Sequence, residues 1–308
     1  MNKTRNVQET RALLAIKGHF HKFVERLKTL KLFLASEKSH GVSELSPFDS
    51  LPEVCISLII SFTSPRDACV VALVSKTFES AANSNIAWEK FIPPEYPSMV
   101  CGSQYYTSKK ELFFDLCHNS LLIDDGEKSF WIERASGKRC IMLSVMSLSI
   151  LKGVSPRYCE WRPYHESSGL SRFENIVELL KVREFGIRGR MNTRDLSPRT
   201  RYSVYIVFKI TENYFGFGDV AIEAVVGVVG HEPSRRSICF DEFPRKGRGR
   251  RRRKDVWMEI ELGEFFNEGG LGNSDEIEMS ALECPEQPYW KCGLIIQGIE
   301  IRPTKLQY

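Results

Sequence analysis

The chain has 308 residues, enough for two domains, with 42% hydrophobic and 27% charged residues, ordinary values for a globular protein. No apolar run of about 18 residues occurs, so no membrane-spanning helix is expected, and the polar N-terminus lacks the continuous apolar core of a secretory signal. The net charge of +4 is uneven. The tract Arg245 to Lys254 (RKGRGRRRRK) holds eight basic residues, and removing them leaves −4 on the other 298. Nine scattered cysteines without a C-x-x-C pair argue for reduced thiols and against a disulfide framework, and they give no zinc-ligand spacing.

Residues 1–44 read as a basic amphipathic helix followed by a polar linker. Leu13, Leu14, Phe20, Phe23, Val24, Leu27, Leu30 and Phe33 supply the apolar positions. Such a helix packs against its own chain, lies on an anionic membrane surface or binds a partner helix. His19 and His21 do not share a helical face and make no metal pair.

Residues 45–92 are the most informative. Leu51, Cys55, Leu58, Ile59 and Phe62 fall at helical spacing, which predicts a helix of about three turns with Pro52 at its first position. Ser64 reads as the N-cap of a second helix, with Pro65 first and Asp67 third, near the positive helix end. From Asp67 to Val74 that helix is apolar on most sides, through Val70, Val71, Leu73 and Val74. A short helix of this kind is buried, either in a small bundle of its own chain or in a partner's groove. Residues 93–119 open with Pro93-Pro94 and Pro97, which break the helix. A connecting helix is expected near Ser108 to His118.

The stretch from Leu51-Pro52 through Ser64-Pro65-Arg66-Asp67 to Val74-Ser75-Lys76 and Trp88 resembles an F-box. The resemblance implies docking to a Skp-type adaptor on a cullin scaffold, with Leu51, Pro52, Leu58, Ile59, Pro65, Leu73, Val74 and Trp88 as the adaptor-binding set. It implies a non-catalytic receptor, since transfer chemistry belongs to other subunits of the ligase. The histidines are scattered, and no nucleophile-elbow, zincin or phosphate-loop motif occurs. No catalytic residue, metal or cofactor is expected.

From residue 120 the texture changes to strands. In Tyr202 to Ile210, Val204, Ile206, Phe208 and Ile210 face one way and Ser203, Tyr205 and Lys209 the other. Val256, Met258, Ile260 and Leu262 alternate against Trp257, Glu259 and Glu261. Glu276, Glu278 and Ser280 alternate against Ile277, Met279 and Ala281, and Ile295 to Ile301 reads as a final strand. Short strands without intervening helices predict an antiparallel β-sandwich over residues 120–308, so the whole chain is expected to be α+β and multidomain. The tract 245–254 falls in this region as a loop. It reads as a nuclear-localisation signal centred on Arg250, Arg251, Arg252, Arg253 and Lys254, as a phosphate contact, or as a solvated loop. Without interleaved aromatic residues, nucleic acid is not the expected partner.

Ordered fragments at 128–150, 171–211, 257–283 and 291–303 are similar to the phloem lectin (phloem protein 2) domain. That resemblance implies a jelly-roll-like lectin sandwich for N-acetylglucosamine oligomers or N-glycans. Joined to an F-box, it implies a receptor that presents a target, glycosylated or not, for ubiquitination in the cytoplasm, the nucleus or both. The sugar-binding segment of the family carries tryptophans where this chain has Lys152 and Cys159, and only Trp161 remains. Glu276 and Glu283 align with acidic residues of that site. Their odd separation sends them to opposite faces of a regular strand, so a bend after Met279 or an end at Pro285 is needed for both to reach one ligand. With its aromatic platform depleted, the domain is expected to bind a protein surface. Glycan binding through Trp161, Glu276 and Glu283 is the alternative.

Overall fold

The computed structural model describes residues 51–96, 105–163, 172–218, 220–240, 257–269, 276–283 and 289–305. The N-terminal helix expected within 1–44 and the basic tract 245–254 lie outside the described residues. Two compact units form: one runs to Asn119 and includes Ile132–Lys138, and the other comprises Ser120–Trp131 and Arg139 onward.

In the helical unit, α1 spans Glu53–Ile60, two turns where three were expected, and Pro52 is its N-cap instead of its first residue. It buries Ile56, Ser57 and Ile60, while Cys55 and Leu58 are exposed. The stripe read from Leu51, Cys55 and Leu58 is therefore largely the outward face. Ser57 belongs inside because its hydroxyl has partners there, donating to the Glu53 and Ala81 carbonyls at 3.0 Å each. Helix α2 spans Pro65–Val71, shorter than the expected run to Val74. The Ser64 hydroxyl caps it, accepting from the Asp67 N–H at 3.1 Å and donating to the Asp67 carboxylate at 2.8 Å. Helices α3 (Lys76–Asn83) and α4 (Asn85–Glu89) are capped in the same way by Ser75 and Ser84.

Trp88 is the centre of this unit. It is fully buried, donates its indole N–H to the Ala82 carbonyl at 2.6 Å, and meets Phe91, Phe113 and Phe114 at ring separations of 5.6, 5.1 and 5.4 Å. Phe113 and Phe114 come from α5 (Lys109–His118), so this helix completes the bundle core instead of merely connecting two domains. The turn after Ile132 also joins the unit. Its Ala135 carbonyl accepts from the Arg66 N–H at 3.3 Å, and a Cβ on Gly137, which has φ +71°, would stand 3.0 Å from the Pro65 ring. Burial, with Glu133 adding to it, pushes the Cys117 thiol up to about 12. At pH 8 iodoacetamide is expected to label exposed Cys55 and to spare Cys117 until the protein is unfolded, as read by peptide mass spectrometry.

The second unit is an antiparallel two-sheet sandwich. Its strands are β1 (Leu121–Ile123), β2 (Lys128–Ile132), β3 (Arg139–Ser144), β4 (Ser149–Ile150), β5 (Cys159–Pro163), β6 (Asn175–Leu179), β7 (Gly186–Asn192), β8 (Thr200–Phe215), β9 (Ile222–Val228), β10 (Ser234–Ile238), β11 (Met258–Asn267), β12 (Glu276–Glu283) and β13 (Cys292–Pro303). One sheet runs β1-β2-β3-β13-β6-β5, with β8 bridging β13 and β11; the other runs β10-β9-β12-β7-β4. Strand β13 organises the larger sheet. Leu294–Ile296 pair with β6, Gly298–Ile301 pair with β3, and the opposite edge pairs with β8. The register shifts between Ile296 and Gly298, where a Cβ would lie 2.0 Å from the Leu143 carbonyl oxygen, so only glycine fits.

The core alternation follows the expected pattern. Val204, Ile206 and Phe208 of β8, and Ile277, Met279 and Ala281 of β12, are all fully buried. The other face of β8 is not the solvent face that its Ser203, Tyr205 and Lys209 suggest. Lys209 is 3% exposed, with its ammonium 4.7 Å from the Trp257 ring centre. Trp131, Met142, Phe173, Val207 and Trp257 form a second cluster. Arg172 stacks over Trp131 at 3.7 Å and Arg302 over Tyr205 at 3.9 Å, and both guanidiniums pair with Glu300.

Candidate functional site

Two surfaces carry the residues singled out in the sequence. On the helical unit, Leu58 is 47% and Leu73 68% exposed, Pro52 is exposed, and Leu51, Ile59 and Val74 are half-buried. Val54 (62%) and Ile86 (41%) are exposed as well. Neither belongs to the helical-spacing stripe Leu51, Cys55, Leu58, Ile59 and Phe62 or to the expected adaptor-binding set. Pro65 and Trp88 are corrections. Both are buried, Pro65 under the Gly137 turn and Trp88 within the aromatic cluster, so neither presents a side chain to a partner. They hold the surface residues in place from beneath.

On the sandwich, Lys152 and Trp161 flank one loop between β4 and β5. Lys152 adopts φ +61° and points its ammonium over the Tyr158 ring at 5.6 Å. Trp161 is 39% exposed and donates its indole N–H to the Gly153 carbonyl at 2.6 Å, which ties the strand to the loop. Cys159 is 1% exposed, with its thiol pushed up by burial, so it faces inward and is no contact residue.

The acidic pair does not converge. Strand β12 keeps an unbroken register against β7 and β9 from Ile277 to Leu282, without the bend that convergence requires. Glu276 and Glu283 stand at its two ends, about 23 Å apart at roughly 3.3 Å per residue. Glu276 is exposed and lies 3.8 Å from the Arg190 guanidinium. Glu283 is consumed internally. One carboxylate oxygen meets the Lys291 ammonium at 2.6 Å, and the other accepts the Phe185 N–H at 2.8 Å. Lys291, fully buried, also donates to the carbonyls of Arg183 (2.8 Å) and Tyr289 (3.0 Å). All three ammonium donors are thereby used, so the pair is structural.

Beside the Trp161 loop lie aromatic and basic side chains that the sequence patterns did not single out. Backbone hydrogen bonds join Leu180 and Lys181 to the Tyr158 carbonyl and Val182 to Lys291. Exposed Trp290 therefore sits near Lys181 and Arg183, whose charges lie 4.7 and 4.8 Å from its ring centre. The signal available in the sequence was the alternation Lys181-Val182-Arg183, which puts two cations on one side of a buried valine.

A capped helical bundle with aliphatic side chains left on its surface stands in one chain with an antiparallel two-sheet sandwich. Comparison with known proteins agrees unit by unit: residues 48–90 match the F-box domain, and residues 138–303 match Phloem protein 2. The chain belongs to the phloem protein 2 family, in its F-box-bearing form. It is similar to F-box protein PP2-B10 of Arabidopsis thaliana, with 62% identity over 86% of this chain and 97% of that protein. It is also similar to F-box protein PP2-B7 of the same plant, with 55% identity over 93% of this chain and 95% of the other. Among solved structures, the CBM22-1 xylan-binding domain of Paenibacillus barcinonensis Xyn10C aligns over 53% of this chain and 90% of its own. That alignment has 10% identity and a TM-score of 0.29, too slight to bear on ligands. No helix among the described residues is long and apolar enough to cross a membrane.

Proposed function

We propose that this protein is the substrate-recognition subunit of an SCF-type ubiquitin ligase. Its F-box helices dock to a Skp-type adaptor on the cullin scaffold, its sandwich binds the target protein, and it performs no catalysis itself. The observation that carries this reading is the exposure of Val54, Leu58, Leu73 and Ile86 on a bundle whose interior is already filled by Phe78, Trp88 and Phe113. Each keeps apolar surface in water, and covering such a side chain completely is worth about 1.5–3 kcal/mol, less here where part of it is already covered. A protein target is favoured over a glycan because Cys159 faces inward, Glu283 is neutralised by Lys291, and Glu276 stands at the far end of β12. The cytoplasm, the nucleus or both are the compartments this role requires, with Arg250 to Lys254 as the nuclear signal.

The test is a pull-down of the full chain on a plant Skp-type adaptor. The wild type is expected to be retained. Leu58→Asp/Leu73→Asp is expected to lose retention by tenfold or more, given that each ~1.4 kcal/mol is a factor of ten, with its thermal transition unchanged because both side chains are exposed. A folded wild type that the adaptor does not retain sinks the reading.

A further inference from the structure

Four basic side chains of the sandwich, Lys152, Arg157, Lys181 and Arg183, make no ion pair with a carboxylate among the described residues. Arg162, Arg172, Arg190, Arg201, Arg235, Arg236 and Arg302 each have a carboxylate partner. Exposed Arg188, Arg194 and Arg199 also lack one, and among the described residues they stand over no ring. All four are exposed, and all four stand by exposed or half-exposed rings. Lys152 and Arg157 lie 5.6 and 5.9 Å from the Tyr158 ring centre, and Lys181 and Arg183 lie within 5 Å of that of Trp290. The two ring sites belong to one stretch of surface, because the Tyr158 carbonyl accepts the Leu180 N–H at 2.9 Å and Val182 exchanges hydrogen bonds with Lys291. Among the described residues of these segments, Glu160 and Glu184 are the carboxylates without an ion pair, two against the four cations.

Rings that carry cations immobilise the long stems of lysine and arginine while leaving their charges toward solvent. We propose that this strip is the target-binding surface of the sandwich and that it takes an acidic, Asp/Glu-rich segment of the target protein. The inference rests on the reading that the sandwich binds a protein. Charge complementarity selects the occupant. A pyranose or a nucleic-acid base needs an open aromatic face, and here Tyr158 and Trp290 each already carry two cations. Carboxylates on an extended peptide need only the charges, held at fixed positions along the strip.

The experiment is fluorescence polarisation of the full chain with a short labelled Asp/Glu peptide, its Asn/Gln counterpart and a single-stranded oligonucleotide. The acidic peptide is expected to bind, weakening as salt rises, and the neutral one is not. Lys181→Glu/Arg183→Glu is expected to weaken binding about tenfold or more. Arg235→Glu, whose cation is paired with Glu223 at 3.0 Å, is expected to change it little. Because the 245–254 tract also attracts anions, a chain with Arg250, Arg251, Arg252, Arg253 and Lys254 replaced by Ser is measured in parallel and is expected to keep the peptide. The proposal is overturned by any of three results: no peptide binding, binding lost with the tract but indifferent to Lys181→Glu/Arg183→Glu, or an oligonucleotide bound as well as the peptide through the same two residues. Adaptor retention is measured on every variant. If it persists while peptide binding fails, only the chemistry of the recognised segment falls, and the receptor role stands.

Discussion

Replacing Lys291 by Ala is expected to destabilise the sandwich by about 3–5 kcal/mol, the cost of leaving a buried carboxylate without its cation. Glu283 and Lys291 are 2% and 0% exposed at the side chain, and their 2.6 Å contact is closed off by the Phe185 N–H and by the Arg183 and Tyr289 carbonyls. Deleting the ammonium leaves the Glu283 carboxylate with only the Phe185 N–H and takes a donor from two carbonyls at once, where water does not reach. Glu283→Gln is expected to cost a comparable amount, because the single amide oxygen accepts from either Phe185 or Lys291, its NH2 is turned on the other donor, and the buried ammonium loses its counter-charge. Glu283→Leu/Lys291→Met is expected to recover much of the loss, since it removes both buried charges together. Urea unfolding followed by the fluorescence of the sandwich tryptophans measures all three, with the midpoint as the readout. A midpoint for Lys291→Ala equal to that of the wild type rules out the buried pair as a structural element. The same experiment bears on ligand binding: a glutamate engaged in this way is not available to a sugar hydroxyl.

The second large effect is on the helical unit. Trp88→Ala is expected to cost about 3–5 kcal/mol, the range for truncating a large buried aromatic side chain. It removes the ring that Phe91, Phe113 and Phe114 pack around, and with it the anchor of α5. Trp88→Phe is expected to cost about 1–3 kcal/mol, mainly by leaving the Ala82 carbonyl without its 2.6 Å donor. Near-UV circular dichroism and adaptor retention should fall together in Trp88→Ala. In Leu58→Asp/Leu73→Asp only retention should fall. That contrast separates residues that make the surface from those that hold it up. Trp88→Ala that melts with the wild type and still loses the adaptor would instead make Trp88 a contact residue.

Features that depend only on neighbours along the chain were legible in the residues alone. Ser64-Pro65-Arg66-Asp67 caps a helix because the hydroxyl and the N–H it satisfies lie within one turn. The alternation in β8 and β12 placed Val204, Ile206, Ile277 and Met279 correctly, because a pleated strand repeats every two residues regardless of its partners. Tertiary structure decided which of two apolar faces turns inward. Within α1, Cys55 and Leu58 on one face match Ile56 and Ile60 on the other in number, and Ile56 and Ile60 are the buried ones, because α3 supplies the Ala81 carbonyl for Ser57 on that side. It also decided the fate of charge. Glu283 and Lys291 read alike with Glu276 and Lys181 as exposed ionic residues, and only the fold, which bridges Val182 to Lys291, buries Glu283 against Lys291 while Lys181 stands exposed over the Trp290 ring. Ionic and apolar side chains carry no local mark of their partner, because the energy that fixes them comes from contacts made by residues distant in the chain.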